Sequence, residues 1–194
     1  MMFEYKSLSV LKSWPLFMLV LLCSQSLAAE QLRVNRFFFD TVAGQIQISC
    51  QIEYNLDEKI IQALENGIAI NFQTTYELLS KRKVLPDKVI LKVDQRFAIK
   101  YYALIKQYIV REPALRAERS FVSLQSALAF IGRADRLSLG YVTSITAEAN
   151  YYLRARSRLI NGELPLPLRV QSYFTKDWRP VSDWRIIEVV KDGA

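Results

Sequence analysis

Apolar and polar residues alternate with a period of two in at least four stretches of this chain, the spacing of strands that bury one face and wet the other. Ile46, Ile48, Cys50, Ile52 and Tyr54 alternate with Gln45, Gln47, Ser49, Gln51 and Glu53. Residues 68–78 repeat the pattern, with Ile68, Ile70, Phe72, Thr74, Tyr76 and Leu78 on one face. In residues 89–109, Val89, Leu91, Val93, Phe97, Ile99 and Tyr101 share one parity against Lys88, Lys92, Asp94, Arg96 and Lys100. That stretch is too long for one ordinary strand. A reversal is expected near residues 103–106, with a return strand through Tyr108 and Arg111 that Glu112-Pro113 ends. A fourth alternation sets Ala147, Ala149, Tyr151, Leu153, Ala155 and Leu159 opposite Glu148, Asn150, Tyr152, Arg154, Arg156 and Arg158. The run 32–39, LRVNRFFF, has strand composition but no clean period.

Two short stretches switch to a helical period. Asn55, with Glu58 three residues on, is the expected N-cap of a helix striped by Ile60, Ile61 and Leu64 and stopped by Gly67. Ser123 is the expected N-cap of a second, with Leu124, Ala127, Leu128 and Ile131 on its stripe, Gly132 as its stop, and Arg133-Ala134-Asp135-Arg136 as a polar link beyond. Proline fixes φ and disfavours helix at the residue before it. Leu164-Pro165-Leu166-Pro167 is therefore expected to run extended into an edge strand, with Leu168, Val170 and Ser172 on one side and Arg169, Gln171 and Tyr173 on the other. Trp178-Arg179-Pro180 then turns the chain into a last strand over 184–190. Parallel strands buried on both faces read as continuous apolar runs, so one-sided alternation points to antiparallel pairing. The expected fold is mainly β: an antiparallel sandwich or strongly curved sheet of about seven to nine strands with two short helices.

The first 28 residues change the picture of where this fold resides. Lys6 and Lys12 precede an apolar run from Pro15 to Cys23, and Ser26-Leu27-Ala28 places small residues where a signal peptidase cuts. The apolar run is shorter than the roughly 20 residues that span a bilayer. The expected organisation is a cleaved signal peptide at 1–28 and one β-rich domain at 29–194, periplasmic, without a transmembrane span in the mature chain. The alternatives are an uncleaved N-terminal anchor, or lipidation at Cys23, which the large Leu22 before it disfavours. Cleavage removes two lysines and one glutamate and lowers the net charge from +7 to +6. It also leaves Cys50 as the one thiol, so no intrachain disulfide can form and stability rests on the core.

Composition narrows the chemistry. The 194 residues contain no histidine, which removes Ser-His-Asp and Cys-His catalysis and most zinc sites. Cys50 lies in an apolar row, where burial raises a thiol's pKa and favours a small hydrophobe over a nucleophile. No catalytic residue, cofactor or metal is expected. Basic charge on an exported protein points to lipid headgroups, envelope polymers or an acidic protein rather than to nucleic acid. Lys81-Arg82-Lys83, before Pro86-Asp87, reads as a solvated turn, with an anion-binding loop as the alternative. The candidate partner-binding residues are Arg154, Arg156 and Arg158, spaced about 6.7 Å apart on one strand face, together with Trp178, Arg179, Trp184 and Arg185. The same residues also read as internal cross-strand contacts and as a cation-π core lid.

Three stretches carry a resemblance: IKYYALIKQYIV, FVSLQSALAFIG and, most specifically, LPLPLRVQSYFTKDWRPVSDWR at 164–185. Over about residues 32–184 the chain resembles the proteobacterial exported proteins of the domain of unknown function family 4390. The resemblance implies export and a single domain, and carries over no catalytic or binding residue. The expected function is a non-enzymatic envelope domain that binds a partner protein or an anionic envelope component. The alternatives are a His-free hydrolase using paired carboxylates such as Asp177 and Asp183, or a carrier of an apolar ligand in an enclosed cavity.

Overall fold

Period-two alternation becomes paired strand over nearly all of the stretches that the structure covers. The computed structural model describes residues 31–141, 143 and 150–189. The expected signal segment and its cleavage site after Ala28 lie outside these residues, as do Ala147, Ala149 and Val190. In chain order the elements are β1 (Leu32–Val42), β2 (Gln45–Tyr54), α1 (Glu58–Glu65), β3 (Ile70–Ser80), β4 (Lys88–Tyr102), β5 (Gln107–Glu112), β6 (Ala117–Phe121), α2 (Leu124–Ile131), β7 (Arg133–Tyr141), β8 (Tyr151–Leu159), α3 (Leu166–Phe174) and β9 (Arg185–Val189). Every strand pairing is antiparallel. The strands form a three-stranded sheet, β1-β2-β7, and a six-stranded sheet, β6-β5-β4-β3-β8-β9. The architecture is the mainly β, antiparallel one expected, with three α-helices among the described residues where two were expected.

The apolar parities of the two sheets face each other. Ile46, Ile48, Cys50, Ile52 and Tyr54 of β2 meet Ile70, Phe72, Tyr76 and Leu78 of β3 and Leu153 and Ala155 of β8 in one buried cluster. The Tyr54 and Phe72 rings meet edge to face at 5.0 Å, and the Phe37 and Tyr76 rings lie 6.4 Å apart. Each such side chain contributes roughly 1.5–3 kcal/mol by leaving water. Three polar side chains in this layer pair with one another: Ser157 Oγ lies 3.1 Å from the Tyr54 hydroxyl and accepts from Thr74 Oγ1 at 3.2 Å.

The helices close the layer at its edges. In α1, Ile60, Ala63 and Leu64 turn inward. Its N-cap is Asp57, whose carboxylate accepts from the Lys59 amide, and not Asn55. The aspartate stands next to the first helical residue, which is where a side-chain acceptor reaches the unpaired amides. Ser123 caps α2 as expected, and Ala127 and Ile131 are buried. The chain passes so close to β2 after α2 that a β-carbon on Gly132 would lie 2.2 Å from the Ile52 carbonyl oxygen. That approach lets the Ile52 amide donate to Gly132 at 2.7 Å.

Two expectations about local structure give way, and one strand was not foreseen. Residues 133–136 are not a link but the start of β7, because Gln51 and Cys50 of β2 pair with Arg133 and Ala134. Residues 117–121, whose sequence AERSF shows no apolar parity, pair with β5 as β6. Residues 166–174 form a helix instead of an edge strand. Only Leu164 and Pro165 are extended (ψ 150° and 147°), and Pro167 falls in the first turn, where its missing N–H costs no hydrogen bond. Arg169 donates twice to the Leu164 carbonyl, at 3.1 and 2.9 Å, and Ser172 is buried beneath the helix. Leu166, Val170 and Phe174, spaced i, i+4 and i+8, point to solvent.

Candidate functional site

The outer face of the six-stranded sheet gathers a cluster of strand-borne positive charge. Strand order puts β4 and β8 on either side of β3, so the polar parities of all three share one surface. Across it, Glu77 is flanked by Arg154 and Lys92, Thr75 by Arg156 and Asp94, and Gln73 by Arg158 and Arg96. Lys100 continues the β4 row. Lys92, Arg96, Lys100, Arg154, Arg156 and Arg158 thus face two carboxylates, Glu77 and Asp94.

These cations are not equally committed. Arg154 donates through Nε (2.8 Å) and a terminal nitrogen (2.7 Å) to Glu77, whose side chain keeps 8% of its exposure, and Lys92 stands 3.6 Å from the same carboxylate. Trp184 stacks against this row, its ring centroid 4.2 Å from the Arg154 guanidinium carbon and 4.4 Å from that of Arg156. Arg158 donates to the Gln73 side-chain oxygen, at 3.4 Å. Arg96, Arg156 and Arg158 have no ion-pair partner among the described residues. Burial alone would raise the Asp94 carboxyl, but hydrogen bonds from Thr75 and Gln73 and the charges of Lys92 and Arg96 outweigh it and hold the group below its ordinary range.

Of the residues singled out in the sequence, Arg154, Arg156, Arg158 and Trp184 come together on this face. Trp178 does not: it is buried in the core. Arg179 donates to the Ser172 carbonyl at 2.6 Å and so ties the chain to α3. Arg185 pairs with Ala155 at the start of β9 and is exposed at the sheet edge. Lys92, Arg96 and Lys100 were absent from that set although their parity was visible. Strand order, which alternation does not encode, makes them neighbours of β8.

A second feature is a half-open groove of about 1060 Å³ on the outer side of the three-stranded sheet. Phe38, Ile61, Leu124 and Leu128 supply its apolar wall, and Arg36, Gln51, Glu53 and the ion-paired Arg133 and Asp135 its polar floor. It is not the enclosed cavity that an apolar-ligand carrier needs.

The family model for a domain of unknown function, DUF4390, matches residues 29–188. The chain belongs to this family. The match takes in every helix and strand described here except the last residue of β9. No curated protein and no solved structure matches the chain. In this DUF4390 domain the one described thiol is set against nucleophilic work: burial pushes Cys50 up to about 12, against a lesser opposing effect of the Tyr76 hydroxyl bonded to it. Asp177, one of the two carboxylates considered for hydrolysis, is held by Lys59 at 2.5 Å. The carboxylates that their surroundings move, Asp87, Asp94 and Glu188, all move down, whereas a general acid at neutral pH needs the opposite. Among the described residues no group of three or more His, Cys, Asp or Glu could hold a metal, and no helix is long and apolar enough to cross a membrane.

Proposed function

We propose that this protein is an exported, non-enzymatic binding domain that engages a polyanionic component of the cell envelope on the outer face of its six-stranded sheet. The observation that supports the reading is the imbalance of six basic residues against Glu77 and Asp94 on β3, β4 and β8. Glu77 absorbs Arg154, leaving Arg96, Arg156 and Arg158 to meet an external anion. Arg96 and Arg158 flank Gln73 from opposite strands, roughly 9.5 Å apart, and Arg156 stands about 6.7 Å along the strand from Arg158. A ligand carrying phosphates or carboxylates at comparable intervals would be met at several points by planar, fixed donors. Trp184, stacked on Arg154 and Arg156, reduces the freedom those side chains lose on binding. Export rests on the N-terminal segment, with its lysines, short apolar run and small residues ahead of Ala29.

The test uses the unit 29–194 and short-chain polyphosphate as the probe. Arg96→Gln, Arg156→Gln and Arg158→Gln together leave Glu77 and its partners in place. The expected outcome is binding that weakens about tenfold for each charge-assisted hydrogen bond removed. Unchanged affinity in the triple variant ends the reading. Mapping the N-terminus of protein purified from its native envelope tests the export half: Ala29 is expected, and an intact Met1 overturns it.

A further inference from the structure

A different surface, at the end of the sandwich where β3 passes to β4, combines apolar tips with unpaired cations. Val84 and Leu85 stand at 93% and 62% exposure on the loop at 81–87, next to Pro86. Three more exposed apolar side chains converge there. Val42 and Tyr141 both stand beside Gln45, one paired with it from β1 and the other from β7. Gly140 in turn lies against Leu91, whose methyl groups would be 2.9 Å from a β-carbon there, and Val89 is exposed two residues before Leu91. One end of the sheet pair therefore carries exposed apolar residues from the loop at 81–87 and from the ends of β1, β4 and β7, none of them buried among the described residues.

The charge around these tips is positive. Arg82, Lys83 and Lys88 have no ion-pair partner among the described residues, while Lys81 is joined to Glu188 at 2.8 Å. The one acid of the loop, Asp87, is exposed but already engaged within the chain: it accepts from the Arg82 amide at 3.0 Å and the Tyr152 hydroxyl at 2.7 Å. Those two hydrogen bonds, the Tyr152 one first, head the causes that hold its carboxyl below the ordinary range. Residues 81–89 are all exposed, so this tip suits a yielding phase better than a preformed pocket. Apolar side chains ringed by free cations match the headgroup boundary of an anionic bilayer, where each cation near the surface is attracted and each buried methylene adds affinity.

We propose that this end of the domain docks on an anionic lipid bilayer, with Val84 and Leu85 entering the headgroup region and Arg82, Lys83 and Lys88 meeting lipid phosphates. The surface uses different cations from those assigned to the sheet face, so either assignment can fail without the other.

The test is cosedimentation of the unit 29–194, which contains the whole buried core from Leu32 to Trp178. The vesicles are phosphatidylcholine with and without about a third phosphatidylglycerol. The parent is expected to bind only the anionic vesicles. Val84→Asp with Leu85→Asp should lower that binding at least about tenfold, and Lys83→Gln or Lys88→Gln roughly fivefold each. All four positions are exposed, so the variants should melt with the parent. Arg96→Gln with Arg158→Gln should bind vesicles as the parent does. Binding that survives the double aspartate variant, or that is lost only in the sheet-face variant, overturns the proposal. So does the absence of vesicle binding, including the case in which the tip captures a protein instead.

Discussion

The two faces of β3 are both buried, by opposite means. On the inner face Ile70, Phe72, Tyr76 and Leu78 lose their exposure to the three-stranded sheet, side chain against side chain. On the outer face Gln73 and Glu77 are also buried, yet among the described residues no second layer of secondary structure covers them. Lys92, Arg154 and Arg158 reach over the strand from both neighbours, with Trp184 stacked on Arg154. The inner face is stabilised by area, the outer by stems and charge that remain half in water. Burial therefore marks the architecture on one side and a surface available to a ligand on the other.

The largest expected effect breaks the inner face by titration. Burial raises the pKa of Cys50 to about 12 and, before any other cause, also raises those of Tyr54 and Tyr76. The unfolded thiol ionises near 9.0 and the unfolded phenols near 10.0, below the folded groups. Stability is thus full below pH 9 and falls as the pH rises from 9 toward 12. Circular dichroism should show cooperative unfolding in that window, and Cys50 should resist alkylation at pH 8 until denaturant is added. Next is Phe72→Ala, expected to cost about 3–5 kcal/mol in urea unfolding. A loss below about 1 kcal/mol would mean that the inner layer collapses around the void.

The outer face should respond more weakly and in a graded way. Arg154→Met leaves Glu77 with only the longer contact to Lys92 and is expected to cost about 2–3 kcal/mol. Adding Glu77→Leu should restore most of that, since replacing both partners removes the unpaired buried charge. Full additivity in this double-mutant cycle would show that the pair does not act as a unit. Arg158→Gln, with no carboxylate partner, should change stability by less than about 1 kcal/mol while still weakening polyanion binding.

Alternation was a reliable guide where one face is apolar. It located β2, β3 and the β4–β5 reversal at 103–106, even though that turn has no Gly, Asn or Pro and instead places Lys106 at a positive φ of 51°. It was silent on β6, where AERSF offers no apolar parity and pairing with β5 alone makes the strand. It misled at 166–174, because the prolines that forbid a helical interior are acceptable in a first turn, and Leu166, Val170 and Phe174 of α3 face outward. The candidate site was half legible. One strand's arginines were visible from spacing, whereas their opposite row on β4 required knowing that β3 lies between them.

The central position of β3 also fixes when the core can close. Its first partner, β4, follows within a hairpin, but its other partner, β8, arrives about eighty residues later: Ser80 pairs with Tyr151 and Phe72 with Leu159. The hydrogen bond between Tyr54 and Ser157 spans 103 positions, and Ser182 donates to Ser157 from still further along. Such long loop closures slow folding. A chain emerging N-terminus first holds β3 with one bare, strongly β-forming edge until nearly all of its residues are available. For that interval its safest partner is a holding chaperone, because the alternative is the same edge of another nascent copy.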